Sequence, residues 1–169
     1  MDIKAISDYF SQYGTIAIFV IVFLEYLNLP GLPSGVIMPL AGMWASKGRI
    51  GFGTVLTLSV IAGIFGSWVL YFVGRLGGQL ILKKYVEKSP KRKAVIDQAI
   101  EKIGTKGYLG IFLGKLIPVI RTIISIPAGA LKMNFLGYTI FSALGVLVWN
   151  FTLIGAGYLF GESVLQLLG

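Results

Sequence analysis

Two cations and one carboxylate lie inside apolar stretches of this chain, close to prolines. Lys115 and Arg121 fall within the apolar run of residues 112–133. Glu25 falls within the apolar run of residues 15–29. A cation in hydrocarbon costs about 2.5–3.5 kcal/mol on insertion scales, and a proline removes a hydrogen bond from a helix. A helix that only anchors a chain in the membrane gains nothing that offsets either cost. We therefore expect these residues to form a functional site.

The three side chains suggest a phosphate site with a carboxylate beside it. The Arg121 guanidinium is permanently charged and binds phosphate through two parallel hydrogen bonds. Lys115 would add a second cation, and snorkelling of its ammonium to the membrane interface is the alternative. Glu25 would carry a proton or balance a cation. The alternative for Glu25 is that it only marks the end of its apolar run. The alternative for Arg121 is that it only forms a salt bridge to Glu25.

The composition predicts an all-α integral membrane protein of one domain, residues 1–169. The chain is 56% hydrophobic and only 13% charged, whereas soluble domains are about 25% charged. It contains no cysteine and no histidine, which removes thiolate chemistry, the commonest metal ligand and the usual general base. We therefore predict no metal, no cofactor and no enzyme activity. The net charge of +8 lies beside apolar spans, which favours anionic lipid over nucleic acid as its partner.

Apolar runs and breaks divide the chain into six segments. Proline and glycine clusters interrupt two of the runs, and such breaks within a membrane are tolerated where they are buried in protein or line a wet cavity. The segments are an interfacial helix (1–13), a re-entrant hairpin (15–46), a transmembrane helix (52–73), a basic amphipathic segment (83–106), a second re-entrant hairpin (108–133) and a transmembrane helix (134–160). The predicted breaks are at Pro30, Pro33, Pro39, Pro118 and Pro127.

The first hairpin has two alternatives, which are a pair of ordinary spans and one kinked helix. The basic segment carries eight Lys or Arg residues, which places it in the cytoplasm by the positive-inside rule. One cytoplasmic loop and two hairpins then place both termini outside.

The two halves of the chain resemble each other. Pro39-Leu-Ala-Gly42 matches Pro127-Ala-Gly129, and the long helices that follow carry Trp68-x5-Gly74 and Trp149-x5-Gly155. A single crossing between the hairpins would make them enter from opposite faces, as an inverted repeat. Paired breaks at matching places in two halves indicate a transporter binding site near the middle of the membrane.

Three motifs resemble the DedA family of bacterial membrane proteins, which share the domain of eukaryotic SNARE-associated and VTT-domain phospholipid scramblases. They are Phe23-Leu-Glu-Tyr26, the run Pro-Gly-Leu-Pro-Ser-Gly-Val-Ile-Met-Pro-Leu-Ala-Gly (30–42), and the run Gly-Lys-Leu-Ile-Pro-Val-Ile-Arg-Thr-Ile-Ile-Ser-Ile-Pro-Ala-Gly-Ala-Leu-Lys-Met (114–133). The resemblance covers roughly residues 10–160. It implies two facing re-entrant hairpins and lipid movement across the bilayer. The family's acidic and arginine positions correspond to Glu25 and Arg121.

The chain departs from the family pattern at two positions. Gly35 stands where the family often has an acid, and Lys115 stands where it often has an arginine. The resemblance implies a flippase in the bacterial cytoplasmic membrane that recycles undecaprenyl phosphate. The alternatives are a phosphatidylethanolamine flippase, an uncoupled scramblase, and a non-transporting scaffold that recruits partners through residues 83–106. The small-residue faces of the long helices would serve a homodimer as well as internal packing.

Overall fold

The computed structural model describes residues 3–27, 34–47, 50–87 and 90–168, and all secondary structure in these ranges is helical, as predicted. Its helices are α1 (Ile3–Tyr26), α2 (Ser34–Ser46), α3 (Phe52–Glu87), α4 (Pro90–Lys115), α5 (Ile120–Ile123), α6 (Ser125–Ala130) and α7 (Phe135–Leu168).

Glycines divide three of these helices. The backbone leaves helical geometry at Gly14 in α1 (φ 56°), at Gly78 in α3 (φ 51°) and at Gly107 in α4 (φ 55°). Side chains with a Cβ rarely adopt a positive φ, and glycine does so without steric cost. Gly107 lies where the polar part of α4 meets its apolar part, so the turn lets each part follow its own surroundings.

Two helical stretches are long and apolar enough to cross a membrane. They are Phe52–Gly78 and Phe135–Gly161, of 27 residues each. At about 1.5 Å per residue each measures about 40 Å, which exceeds the ~30 Å hydrocarbon core. Because α3 continues past Gly78 to Glu87, the basic segment predicted to start at residue 83 begins inside α3 and continues in α4.

Pro39 does not break the chain, contrary to the prediction. It lies inside α2, where its missing N–H would have bonded to the carbonyl of Gly35. That carbonyl belongs to the first turn of α2, where the loss of one bond leaves the rest of the helix intact. Pro30 and Pro33, which we also predicted as breaks, lie outside the described residues.

The second half of the chain contains an open turn followed by two short helices. Pro118 lies in the turn between α4 and α5, which spans residues 116–119. Pro127 is the third residue of α6, and its missing N–H leaves the carbonyl of Ile123 without its helical partner. Ile124, between α5 and α6, keeps right-handed helical angles (φ −57°, ψ −22°), and its N–H donates to the carbonyl of Ile120 at 2.8 Å, so the helical path continues from α5 into α6.

The chain forms two compact units, Met1–Gly63 with Leu147–Gly169, and Ile64–Val146. We call them unit 1 and unit 2. In unit 1, α1 packs on α2. In unit 2, α4 packs on α5 and α6, and α5 packs on α6. Each unit therefore has a longer helix, which we call its arm (α1 in unit 1 and α4 in unit 2), packed on one or two shorter helices. Each unit also includes a part of α3 and a part of α7.

In unit 1, α2 lies directly on the backbone of α7. A Cβ added at Gly42 would overlap the carbonyl of Ile154, and a Cβ added at Gly157 would overlap the carbonyl of Pro39. The absence of side chains at both glycines therefore sets the distance between the two helices.

In unit 2, α6 makes the same contact with α3. A Cβ at Gly129 would overlap the carbonyl of Tyr71, and a Cβ at Gly74 would overlap the carbonyl of Ile126. In both units the two contact residues on each helix are three positions apart. Two helices that approach this closely gain van der Waals contact along their backbones.

The contact glycines of the long helices occupy equivalent positions. Gly74 of α3 and Gly157 of α7 coincide when the two helices are aligned on their first residues, Phe52 and Phe135. The sequence match paired Gly74 with Gly155, two positions before Gly157. A Cβ at Gly155 would meet nothing within 4 Å, so Gly155 takes no part in close packing.

The apolar face of α4 contributes to the core of unit 2. Ala99 and Ile103 of α4 belong to a buried cluster that also contains Tyr71, Ile111, Ile120, Ile124, Ala128 and Tyr138. The nearby Asp97, Gln98 and Glu101 of the same helix are exposed. This helix is amphipathic, and its apolar stripe packs inside the unit.

The close contact in unit 2 predicts a cost for any side chain at Gly129. We expect Gly129→Ala to destabilise the protein by about 1–3 kcal/mol, the usual cost of overpacking, measured by thermal unfolding in detergent. The matched control is Gly155→Ala, which should be neutral or stabilising by up to about 1 kcal/mol because alanine favours helix. Equal effects of the two substitutions would contradict the contact.

Candidate functional site

A buried ammonium group, that of Lys115, makes hydrogen bonds inside unit 2. Lys115 is the last residue of α4, and its side chain is 1% exposed. Its Nζ donates hydrogen bonds to Ser67 Oγ at 2.8 Å and to Ser125 Oγ at 3.1 Å. Ser67 lies on α3 and Ser125 on α6, so one side chain joins three helices. Lys115 therefore does not snorkel to an interface in this structure.

Helix α7 completes the surroundings of Lys115. A Cβ at Gly145 would overlap the Cβ of Lys115, so the lysine stem lies against the backbone of α7. The hydroxyl of Tyr138 donates to the carbonyl of Ser67 at 3.1 Å. The Tyr138 ring stacks on Tyr71, with ring centroids 4.6 Å apart.

Five side chains form what we call the hydroxyl cluster. They are Ser67, Lys115, Ser125, Tyr138 and Ser142, and none is more than 3% exposed. The hydroxyls of Ser125, Ser142 and Ser67 lie beside the phenol of Tyr138. Buried hydroxyls normally have hydrogen-bond partners. Ser142 Oγ, although it is close to that phenol, makes no hydrogen bond of regular geometry in the described part of the chain.

Arg121 is buried in the same unit as Lys115. It lies on α5, whose four residues are all buried, and its own side chain is 1% exposed. Its backbone N–H donates to the carbonyl of Ile117 at 2.9 Å, across the turn that contains Pro118. Unit 2 therefore buries both cations that the sequence predicted as phosphate ligands.

Unit 1 contains Glu25 and a separate chain of hydrogen bonds. Glu25 is 3% exposed and precedes the last residue of α1, Tyr26. Tyr26 Oη donates to Asn150 Oδ1 at 2.9 Å, and Asn150 Nδ2 donates to Ser59 Oγ at 3.1 Å. Ser59 Oγ then donates to the carbonyl of Leu56 at 2.8 Å. These bonds attach the end of α1 to both long helices.

The two units use equivalent positions for these polar contacts. Ser67 of α3 and Asn150 of α7 also coincide when the two helices are aligned on their first residues. Each is bonded by the last residue of an arm, Lys115 of α4 and Tyr26 of α1. The same attachment is therefore neutral in unit 1 and positively charged in unit 2.

Five buried polar residues of these two networks were not expected from the sequence; they are Tyr26, Ser59, Ser67, Asn150 and Ser142. Their signal was weak because each is a single small or amphipathic polar residue in a long apolar helix. Such residues are common in membrane helices, where they join helices by hydrogen bonds. Among the described residues there is no group of three His, Cys, Asp or Glu side chains that could hold a metal ion.

The chain is similar to a family of membrane proteins. The model of the VTT domain matches residues 32–159. Undecaprenyl phosphate transporter A of Staphylococcus aureus is 30% identical over 95% of this chain and 80% of that protein. An alkaline phosphatase-like protein of Lactococcus lactis is 32% identical over 90% of this chain and 73% of that protein. The inner membrane protein YqjA of Escherichia coli is 28% identical over 86% of this chain and 67% of that protein. No solved structure matches the chain.

The hydrogen-bond chain of unit 1 predicts a stability cost for losing its first donor. We expect Tyr26→Phe to lower the free energy of unfolding by about 1–3 kcal/mol, because it leaves the buried Oδ1 of Asn150 without that donor. Thermal unfolding in detergent measures the change. Tyr158→Phe, at an exposed tyrosine of the same unit, should change stability by less than about 0.5 kcal/mol. A similar small effect at Tyr26 would show that the bond contributes little.

Proposed function

This chain belongs to the VTT domain family, which includes the DedA proteins, and on that basis we propose that it moves a phosphate-bearing lipid across the bacterial cytoplasmic membrane. The lipid we propose is undecaprenyl phosphate, because a relative aligned with 95% of this chain is named as its transporter. A second relative is named as an inner membrane protein, which supports the location.

One observation carries the proposal, the burial of two cations in a single apolar unit. Lys115 and Arg121 are each 1% exposed. Ionisable groups inside membrane segments are costly, and they mark the paths of substrates and ions. Ammonium and guanidinium groups both bind phosphate, and the guanidinium does so through two parallel bonds. We propose Arg121 as the principal ligand of the lipid phosphate and Lys115 as its helper.

We also propose that the short apolar helices are re-entrant. The stretches Gly14–Tyr26, Gly35–Ser46 and Ile120–Ala130 have 13, 12 and 11 residues. At about 1.5 Å per residue the longest reaches about 20 Å, short of the ~30 Å core. The equivalent glycine contacts and polar attachments of the two units support an internal repeat, and we propose that this repeat is inverted, as in many transporters.

Glu25 is our candidate for coupling transport to protons or ions. It is a carboxylate that is 3% exposed, next to a tyrosine that fixes the end of α1. A proton that moves across the membrane potential gains about 2.3 kcal/mol per 100 mV, which is enough to bias the direction of lipid movement.

Each alternative function would depend on different residues or conditions. An uncoupled scramblase would move lipid without any dependence on a pH gradient, and a phosphatidylethanolamine flippase would accept a zwitterionic headgroup. A scaffold would need its basic segment, residues 83–106, and would not need Arg121. A phosphatase, suggested by the name of an alkaline phosphatase-like relative, would need an activated nucleophile, and the chain has no cysteine thiol and no histidine to activate a serine. We propose a non-enzymatic carrier.

The phosphate role predicts that Arg121→Ala strongly reduces lipid movement. The variant should insert and fold but lose at least about tenfold in the rate of undecaprenyl phosphate transport, since one charge-assisted hydrogen bond contributes about 1.5–3 kcal/mol. The measurement is transport in reconstituted vesicles. Arg75→Ala is the control, because Arg75 is an exposed arginine of the same unit. Wild-type transport by the Arg121 variant would refute the phosphate role.

The coupling role predicts that Glu25→Gln removes the dependence of transport on a pH gradient. Glutamine keeps the size of the side chain but cannot exchange a proton. Transport is compared in vesicles with and without an imposed gradient, and Asp97→Asn serves as the control because Asp97 is exposed on α4. If wild-type transport is itself insensitive to the gradient, the protein is a scramblase and the coupling proposal fails.

A further inference from the structure

The positive charge in unit 2 is not required by the way its helices are attached. In unit 1, the neutral pair of Tyr26 and Asn150 joins the end of an arm to a long helix. In unit 2, Lys115 makes the equivalent attachment to Ser67. A buried ammonium group pays a far larger desolvation cost than a buried phenol. Since a neutral pair suffices in one unit, the cation in the other unit points to a role beyond attachment.

The groups around Lys115 can donate further hydrogen bonds. Ser142 Oγ is buried and makes no hydrogen bond of regular geometry in the described part of the chain. It lies on the same face of α7 as Tyr138 and Gly145, at spacings of four and three residues. Because Gly145 contacts the stem of Lys115 and Tyr138 bonds to the carbonyl of Ser67, this face of α7 points toward the hydroxyl cluster.

A buried hydroxyl without a well-aligned partner costs free energy, and that cost is recovered if a ligand supplies an acceptor. The cluster combines one ammonium group with the hydroxyls of three serines, and none of its five members is a carboxylate. Such a group favours a ligand with a negatively charged oxygen. The phosphate of a lipid and free inorganic phosphate both have this chemistry.

We infer that the hydroxyl cluster is a subsite for one phosphate oxygen, in which Lys115 supplies the charge and Ser142 donates a hydrogen bond. This assignment deepens the proposed function, on which the choice of a lipid phosphate rests. The cluster is closed in this structure, so binding requires α6 to separate from Lys115.

Two equivalent serines allow the ligand role to be separated from a structural role. Ser142 of α7 and Ser59 of α3 coincide when the helices are aligned on their first residues, and both are buried. Ser59 accepts a bond from Asn150 and donates to Leu56, whereas Ser142 makes no regular bond in the part of the chain that the structure describes. Ser142→Ala therefore removes a hydroxyl whose contact with the Tyr138 phenol is not a hydrogen bond of regular geometry, and Ser59→Ala breaks two regular hydrogen bonds.

The test measures phosphate binding and thermal unfolding on the purified full chain in detergent. The probes are inorganic phosphate and a short-chain polyprenyl monophosphate. We expect Ser142→Ala to keep or raise the unfolding temperature and to weaken binding of the lipid probe about tenfold, the effect of one hydrogen bond to a charged group. Ser59→Ala should lower the unfolding temperature and leave the affinity unchanged.

The two probes and a transport assay separate the possible outcomes. Weakened binding of both probes by Ser142→Ala supports a site for the phosphate itself, and weakened binding of the lipid probe alone supports a lipid headgroup site. Unchanged affinity in Ser142→Ala, or no binding of either probe by the wild type, overturns the inference. If the wild type binds phosphate through Ser142 but moves no polyprenyl phosphate in vesicles, the subsite stands and the proposed function fails.

Discussion

The close backbone contact between a short helix and a long helix determines where the polar groups of each unit lie. Gly129 on α6 and Gly74 on α3 lack side chains at the point of contact, so the two backbones touch. That contact brings Ser125 of α6 and Ser67 of α3 close enough for Lys115 to bond to both. A single added methyl group in the contact would separate the hydroxyls that hold the ammonium group.

In both units, side-chain hydrogen bonds attach the end of an arm to a long helix, but the groups are neutral in unit 1 and include a cation in unit 2. An arm that ends inside an apolar unit must be attached to its neighbours, and hydrogen bonds between polar side chains provide the attachment. In unit 1 the bonds run from Tyr26 through Asn150 to Ser59, and all three groups are neutral. In unit 2 the attachment is cationic, through Lys115. This difference in charge gives the two units different potential ligands, although their helices pack alike.

The prediction of the fold was correct where it depended on composition and wrong for the break at Pro39. Apolar runs identified the helices, because hydropathy is a property of a local stretch. Pro39 lies within a helix despite its poor propensity, since one missing bond in a first turn costs little. The close contact of α7 at Gly157 was not predicted, because the sequence does not show which face of a long helix meets a neighbour.

The sequence alone determined the helical class and the family. It also identified three ionisable side chains within apolar runs, Glu25, Lys115 and Arg121. These follow from hydropathy and from charges that are conspicuous in apolar surroundings. Only the tertiary structure decided which groups surround them. Ser67 and Lys115 are far apart in the chain, yet they share a hydrogen bond, and Ser142 joins their cluster from another helix. A lone serine carries no local signal, because its partner depends on which helix packs against it.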